Sequence, residues 1–253
     1  MELTSNQVCI DIETLPGSER PEINPEELED LILAAVPKKY KKQESINTFA
    51  EEHREELIDS ITDGLEADWR KEALDPLRGK IYCIGYTFGE EDVRCSMENT
   101  EYDTLVFFSA HLESRYNSHL IPFHFYGHNY AGFDGPFLWK RALKYGLTYL
   151  ASVTRPGKWG KRCEDTMTMF GDGDNHFHIS MDNLAQFLGL GSGKEELPSE
   201  YCDILDLEHG TELNGSLVLD LVEAGLGDVV VEYCKKDVAV TREIYRKLKS
   251  VIG

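Results

Sequence analysis

The sequence predicts an α/β fold: a mixed sheet of about five strands flanked by helices, with a helical insertion after the first strand. Three observations lead there. Short apolar, β-branched or aromatic runs recur at 7–12, 80–88, 92–97 and 121–126, the pattern of strands. Stretches of helical periodicity separate or follow them at 102–115, 133–144, 181–188 and beyond 228. The chain has 253 residues, 41% of them hydrophobic, enough for one sizeable core, so residues 1–253 are read as a single domain.

Gln7–Ile12 (QVCIDI) ends in acidic residues and reads as a central strand whose C-terminal end lies at a site. Pro16–Gly17 then breaks the chain. Residues 18 to about 78 differ in kind, being rich in Glu and Lys with helical periodicity over 25–35 and 48–73. Their apolar faces are narrow, so they read as an insertion and not a separate domain; Asn24–Pro25 offers a cap and a first-turn proline. Residues 80–88 and 92–97 form a hairpin around Gly89–Glu91. Phe133–Lys144 is a helix with Pro136 in its first turn and Gly146 past its end. Ser180 caps 181–188, which stops at Gly189, and the final helix runs from after Asp228 to about Lys249.

A net charge of −20 and a pI of about 4.7 exclude a bulk basic coat for nucleic acid. They do not exclude a nucleic-acid enzyme, because bound divalent cations neutralise both active-site carboxylates and phosphate. None of the six cysteines stands in a Cys-x-x-Cys pair, which argues against a zinc ribbon. The start, Met1–Asn6, is short and polar, and no apolar run reaches the roughly 20 residues of a membrane span. A soluble protein of a reducing, cytoplasmic compartment is the expectation.

Three short signals occur in order. Asp11-Ile12-Glu13 ends the first strand, and residues i and i+2 of a strand point the same way, although most such pairs are solvated surface. Gly127 to Asp134 (GHNYAGFD) suits a tight strand-to-helix turn, with Asp134 in the first helical turn; taken alone, a well-capped helix start is the better explanation of it. Tyr233-Cys-Lys-Lys-Asp237 lies in the last helix, where Tyr233 and Asp237 share a face that continues through Thr241, Ile244 and Leu248. An aspartate on an apolar face needs a partner or a metal. Four converging carboxylates, Asp11, Glu13, Asp134 and Asp237, would repel one another unless cations lie between them. Such oxygen ligands suit two Mg²⁺ or Mn²⁺ ions, which together can activate a water and stabilise the leaving oxygen of a phosphodiester.

DIE near the start, HN-x-x-x-FD in the middle and Y-x-x-x-D near the end resemble the three exonuclease motifs of the DEDD superfamily. Tyr233, four residues before Asp237, places the likeness in the tyrosine (DEDDy) branch. The connecting text, including Asp75–Ile81 and Met181–Leu190, resembles predicted exonucleases related to the proofreading domain of family B DNA polymerases. This implies a ribonuclease H-like fold and a metal-dependent 3′–5′ exonuclease releasing nucleoside 5′-monophosphates. It implies metal ligation by Asp11, Glu13, Asp134 and Asp237, and catalysis by these with Tyr233, which orients the attacking water because a phenol of ordinary pKa near 10 is a poor base. Asn129 and Phe133 would contact the terminal nucleotide, Thr14 and Leu15 its base or sugar, and the backbone at Ile12–Glu13 its 3′ hydroxyl. His128 touches substrate or merely fills its turn.

Single-stranded DNA is the favoured substrate, with RNA, a ribonuclease H-like endonuclease and a silent binding module as alternatives. Lys158 and Trp159, in the basic loop 154–162, suit phosphate contact with base stacking; a solvated loop is an equal reading. Lys38–Lys42 is a weaker candidate. Residues 195–228 hold no Lys or Arg and should repel nucleic acid. Asp165 bonds locally or supports the site, and His176 and His178 are read as structural.

Overall fold

The computed structural model describes residues 2–119, 122–155, 163–172, 174 and 177–252. In chain order the elements are β1 (Gln7–Pro16), α1 (Leu28–Ala35), α2 (Gln43–Glu52), α3 (Arg54–Arg70), β2 (Gly79–Phe88), β3 (Arg94–Ser96), α4 (Glu101–His119), β4 (His124–Gly127), α5 (Asp134–Lys144), α6 (Thr148–Val153), β5 (Cys163–Asp165), α7 (Thr166–Phe170), α8 (Met181–Phe187), α9 (Ser199–Ile204), α10 (Val218–Glu223) and α11 (Gly227–Ile252). They gather in two compact units, residues 1–15 with 80–253, and residues 16–79.

The larger unit is built on a five-stranded mixed sheet of order β3-β2-β1-β4-β5. β1, β4 and β5 run parallel, with Val8 opposite Phe125 and Gly127 opposite Asp165; β2 and β3 are antiparallel. The C-terminal ends of the three parallel strands therefore open on one edge of the sheet, where open α/β sheets place their sites. Alternation along β1 sorts its side chains. Val8, Ile10 and Ile12 enter the core that contains Leu105, Phe108, Phe137 and Leu138 of α4 and α5. Cys9 and Leu15 turn to the other face, against Val238 and Cys234 of α11. Asp11 and Glu13 share that second face by the same period.

One buried ion pair crosses the first core. Arg141 of α5 donates from Nε to Glu101 Oε1 at 2.7 Å, and Glu101 also accepts from the Tyr145 hydroxyl and the Ile81 amide, both at 2.8 Å.

The smaller unit carries α1, α2 and α3 around Ile32, Val36, Ala50 and Leu57. Tyr40, inside the lysine run 38–42, packs on Phe49 at 4.8 Å, while its lysines are exposed. The ends of the unit meet: a side chain at Gly17 would stand 2.0 Å from the Arg78 carbonyl oxygen. The Trp69 indole donates to Ser18 O at 3.1 Å, and the Ser18 hydroxyl to Glu72 Oε2 at 2.7 Å.

Boundaries depart from the sequence reading for local reasons. β1 runs on to Pro16. The periodicity over 48–73 splits at His53 into α2 and α3. Asn24 caps a turn, accepting from the Glu26 amide at 3.0 Å, and α1 starts only at Leu28. The fourth strand is His124–Gly127; Ile121, its expected start, lies outside the described residues.

Candidate active site

The site is assembled at the edge where β1, β4 and β5 end. On β1 the carboxylates of Asp11 and Glu13 come within 4.8 Å of each other and of Cys234 Sγ. Glu13 is buried, and Asp11 accepts from the Cys234 thiol at 3.6 Å.

The turn from β4 to α5 brings the third carboxylate. Gly127 allows β1 to pass, since a side chain there would lie 2.7 Å from Ile10 O. Asn129 takes the left-handed conformation, φ 59°, which asparagine tolerates better than most residues. Phe133 is the residue before α5 and packs on Phe137 at 5.5 Å. Asp134 opens the helix, and its Oδ1 accepts from the Ile12 amide at 3.0 Å. This bond pins the second motif to the strand residue between Asp11 and Glu13.

α11 brings the rest. Its buried stripe runs Val230, Cys234, Asp237, Val238, Thr241, Ile244 and Leu248. Asp237 is the charged member, and Tyr233 stands one turn before it on the rim of the stripe.

Exposure of Glu13, Asp134 and Asp237 is 9%, 3% and 7%, and the four groups sense one another. Burial, then Asp134, Glu13 and Asp237, push the Asp11 carboxyl well above its usual range. Burial and the charges of Asp237 and Asp134 do the same to Glu13. Burial raises Asp134 to about 7, although its own amide and that of Ile12 pull it down. Asp237 rises to about 6 through burial, tempered by a hydrogen bond with Tyr233 and by Lys236. Burial and the charges of Asp237, Glu13 and Asp11 push the Tyr233 phenol far up, so it stays protonated and donates. Among the described residues no lysine or arginine forms a salt bridge with these carboxylates; Lys236 pairs with Glu195 at 2.5 Å. A dense, largely buried set of carboxylate oxygens with no salt bridge to a described lysine or arginine is the donor set of a hard divalent cation, so the residues present fit Mg²⁺ or Mn²⁺.

Other expected positions fall as follows. The Ile12 amide is already bonded to Asp134. Thr14 is half-buried, whereas Leu15 is packed into the core with Cys83 and Leu197. Both ring nitrogens of His128 are occupied, by the Thr166 hydroxyl and Ile179 O at 2.9 Å each, and burial lowers its pKa. It holds the turn in place. Lys158, Trp159 and His176 lie outside the described residues. Asp165, left open between two roles, fills both. It caps α7, accepting from the Met167 amide at 3.0 Å, and clamps the β4–α5 turn by accepting from the amides of Asn129 and Ala131 at 3.0 and 2.9 Å. The pattern D-T-M-T after a short strand was the signal for the cap; nothing local announced the clamp. Cys234, whose thiol meets Asp11, was also missed. A cleft of about 520 Å³ opens beside Tyr233, walled by Glu195, Glu196, Tyr201, Asp228 and Glu232.

Residues 96–253 match the family model described as predicted 3′–5′ exonucleases related to the exonuclease domain of PolB. The chain belongs to this family. No curated protein matches the sequence significantly. The matched span of the PolB-related exonuclease family contains Asp134, Tyr233 and Asp237, while Asp11 and Glu13 precede it and are joined to it through the Ile12–Asp134 bond. A ribonuclease H-like mixed sheet flanked by helices is the fold of this exonuclease family. Membership makes the chain a nuclease by family, acting on nucleic acid. No helix among the described residues is long and apolar enough to cross a membrane.

Proposed function

We propose that this chain removes nucleotides from the 3′ end of single-stranded DNA, releasing nucleoside 5′-monophosphates. The observation that carries the proposal is the meeting of four carboxylates from β1, α5 and α11, with the Asp134–Ile12 bond joining two of those elements and a phenol one turn from the last carboxylate; burial raises all four, and the charges of their neighbours raise Asp11 and Glu13 further.

Asp11, Glu13, Asp134 and Asp237 would hold two Mg²⁺ or Mn²⁺ ions. When bound, such ions supply charge neutralisation, an activated water and stabilisation of the leaving oxygen. The chain's residues do the positioning. Tyr233 donates a hydrogen bond that orients the attacking water, and its raised pKa removes it as a base. Asn129 and Phe133, beside Asp134 at the start of α5, contact the terminal nucleotide, Phe133 by stacking. Asp165 acts through them by fixing their turn. Lys158 and Trp159 guide the strand by phosphate contact and stacking. Glu195, Glu196, Asp228 and Glu232 outnumber Lys236 around the cleft beside Tyr233, which disfavours a second strand on that side, and the family's relation to the PolB exonuclease domain favours DNA over RNA.

The test is degradation of 5′-labelled single-stranded DNA, matched RNA and duplex DNA with Mg²⁺, Mn²⁺ or EDTA. A metal-dependent ladder shortening from the 3′ end, fastest on single-stranded DNA, is expected. Faster loss of RNA would reassign the substrate, internal cuts would replace the exonuclease by an endonuclease, and intact substrate in every lane would overturn the activity.

A further inference from the structure

The six cysteines show no metal-binding spacing in the sequence, yet the fold brings three of them to one point. Cys83 of β2, Cys95 of β3 and Cys234 of α11 place their sulfurs within 4.8 Å of one another, and all are free thiols. The convergence has a local cause. In the β2–β3 register Gly85 stands opposite Cys95, and Cys83 is two residues earlier on the same face. Gly85 leaves a hole in that face: a side chain there would meet Cys234 Sγ at 2.8 Å and Cys234 O at 3.1 Å. α11 settles into the hole and lowers its thiol between the other two. Cys83 and Cys234 are wholly buried, whereas Cys95 is partly exposed and gives an ion its approach.

Three buried cysteines also pack as small apolar residues, so geometry and chemistry have to separate the two readings. Thiolates around a four-coordinate zinc-class ion sit about 2.3 Å from the metal and hence roughly 4 Å apart, a spacing that falls inside the 4.8 Å within which the three sulfurs already lie. Sulfur also selects a different ion from the oxygens of Asp11 and Glu13.

We propose that Cys83, Cys95 and Cys234 form a binding site for a soft, four-coordinate cation of the zinc class. Binding releases the three thiol protons to solvent, and three thiolates leave the fourth position open. The site differs from the carboxylate cluster in ligand chemistry but touches it, because Cys234 Sγ lies 3.6 Å from Asp11 Oδ2. It does not depend on the nuclease reading.

The experiment is a Co²⁺ titration of the reduced, tag-free full chain in excess Mg²⁺, which keeps cobalt off the carboxylates. The readout is thiolate-to-cobalt charge-transfer absorption, which oxygen ligands do not give. Saturation at one equivalent and displacement by Zn²⁺ are expected, with affinity at least about tenfold weaker in Cys95→Ser and unchanged in Cys202→Ser, a buried cysteine elsewhere. Zn²⁺ should raise the melting temperature of the unaltered chain by about 5 °C at a hundredfold excess over its dissociation constant, and should not raise that of Cys95→Ser. Cys95 is partly exposed, so its serine variant is the one expected to fold; circular dichroism checks this, and Cys83→Ser is the second variant. Absence of the charge-transfer band in the unaltered chain, or a band that survives both substitutions, would overturn the site.

Discussion

At the scale of single residues the carboxylate cluster dominates. A carboxyl whose folded pKa is raised binds protons more tightly folded than unfolded. Between the unfolded value near 4 and the folded values of about 6 for Asp237 and about 7 for Asp134, stability therefore falls as pH rises. In EDTA the melting temperature is expected to drop between pH 5 and pH 7, each group contributing at most about 1.4 kcal/mol per pH unit. Mg²⁺ should flatten the curve. A flat profile in EDTA would mean that the cluster is better solvated than its burial implies. Asp11→Asn removes one of the mutually repelling charges. It should lower nuclease activity by at least about a hundredfold while leaving the metal-free melting temperature at pH 8 unchanged or higher; a fall of several degrees would contradict the repulsion argument. Tyr233→Phe keeps the carboxylates and loses one hydrogen bond, so single-turnover rates should fall by only about tenfold. Losses equal to those of Asp11→Asn would give the phenol a larger role than orientation.

At the scale of elements the parallel strands and two helices fix the site. The Ile12–Asp134 bond ties β1 to α5, and Asp165 ties β5 and α7 to the turn ahead of α5. Behind them Glu101 joins α4, α5 and the start of β2 through Arg141, Tyr145 and the Ile81 amide. Removing one member of a buried ion pair takes from the other its counter-charge at that place in the core. Glu101→Ala is therefore expected to cost about 3–5 kcal/mol, read as a lowered urea midpoint, and to slow the nuclease only as far as it unfolds the chain. A midpoint shift below about 1 kcal/mol would show that water reaches Arg141 and makes the pair a surface one.

At the scale of the whole molecule, residues 16–79 form a compact unit with its own small core and with its ends side by side. Adjacent ends mean that the strand-forming chain can be closed across the gap. Replacing residues 19–77 by a short glycine linker is expected to leave a cooperatively melting, folded remainder, measured by circular dichroism and calorimetry. Loss of a cooperative transition would make the insertion part of the folding unit. If the remainder folds, comparing its rates on single-stranded and duplex DNA tests whether the insertion restricts which strands reach the site.

What the sequence determined by itself was whatever is encoded locally. Period-two runs marked the strands, and a hydrophobic stripe marked α11. Gly127, Asn129 and Gly132 marked the turn, and Asp237 stood out because a charge on an apolar face has no local explanation. Asp11, Glu13, Asp134 and Tyr233 stood out only as an ordered set resembling the exonuclease motifs, not from any one local signal. Tertiary structure decided the rest, since it depends on which distant residues meet. His128 spends both nitrogens on Thr166 and Ile179, Leu15 turns into the core, and Asp165 reaches across to another strand's turn. The short elements α6, α7, α9 and α10 have too few residues to show a period. The three-cysteine cluster has no spacing at all: Gly85 makes it by letting α11 approach, and a missing side chain acts only on what packs against it.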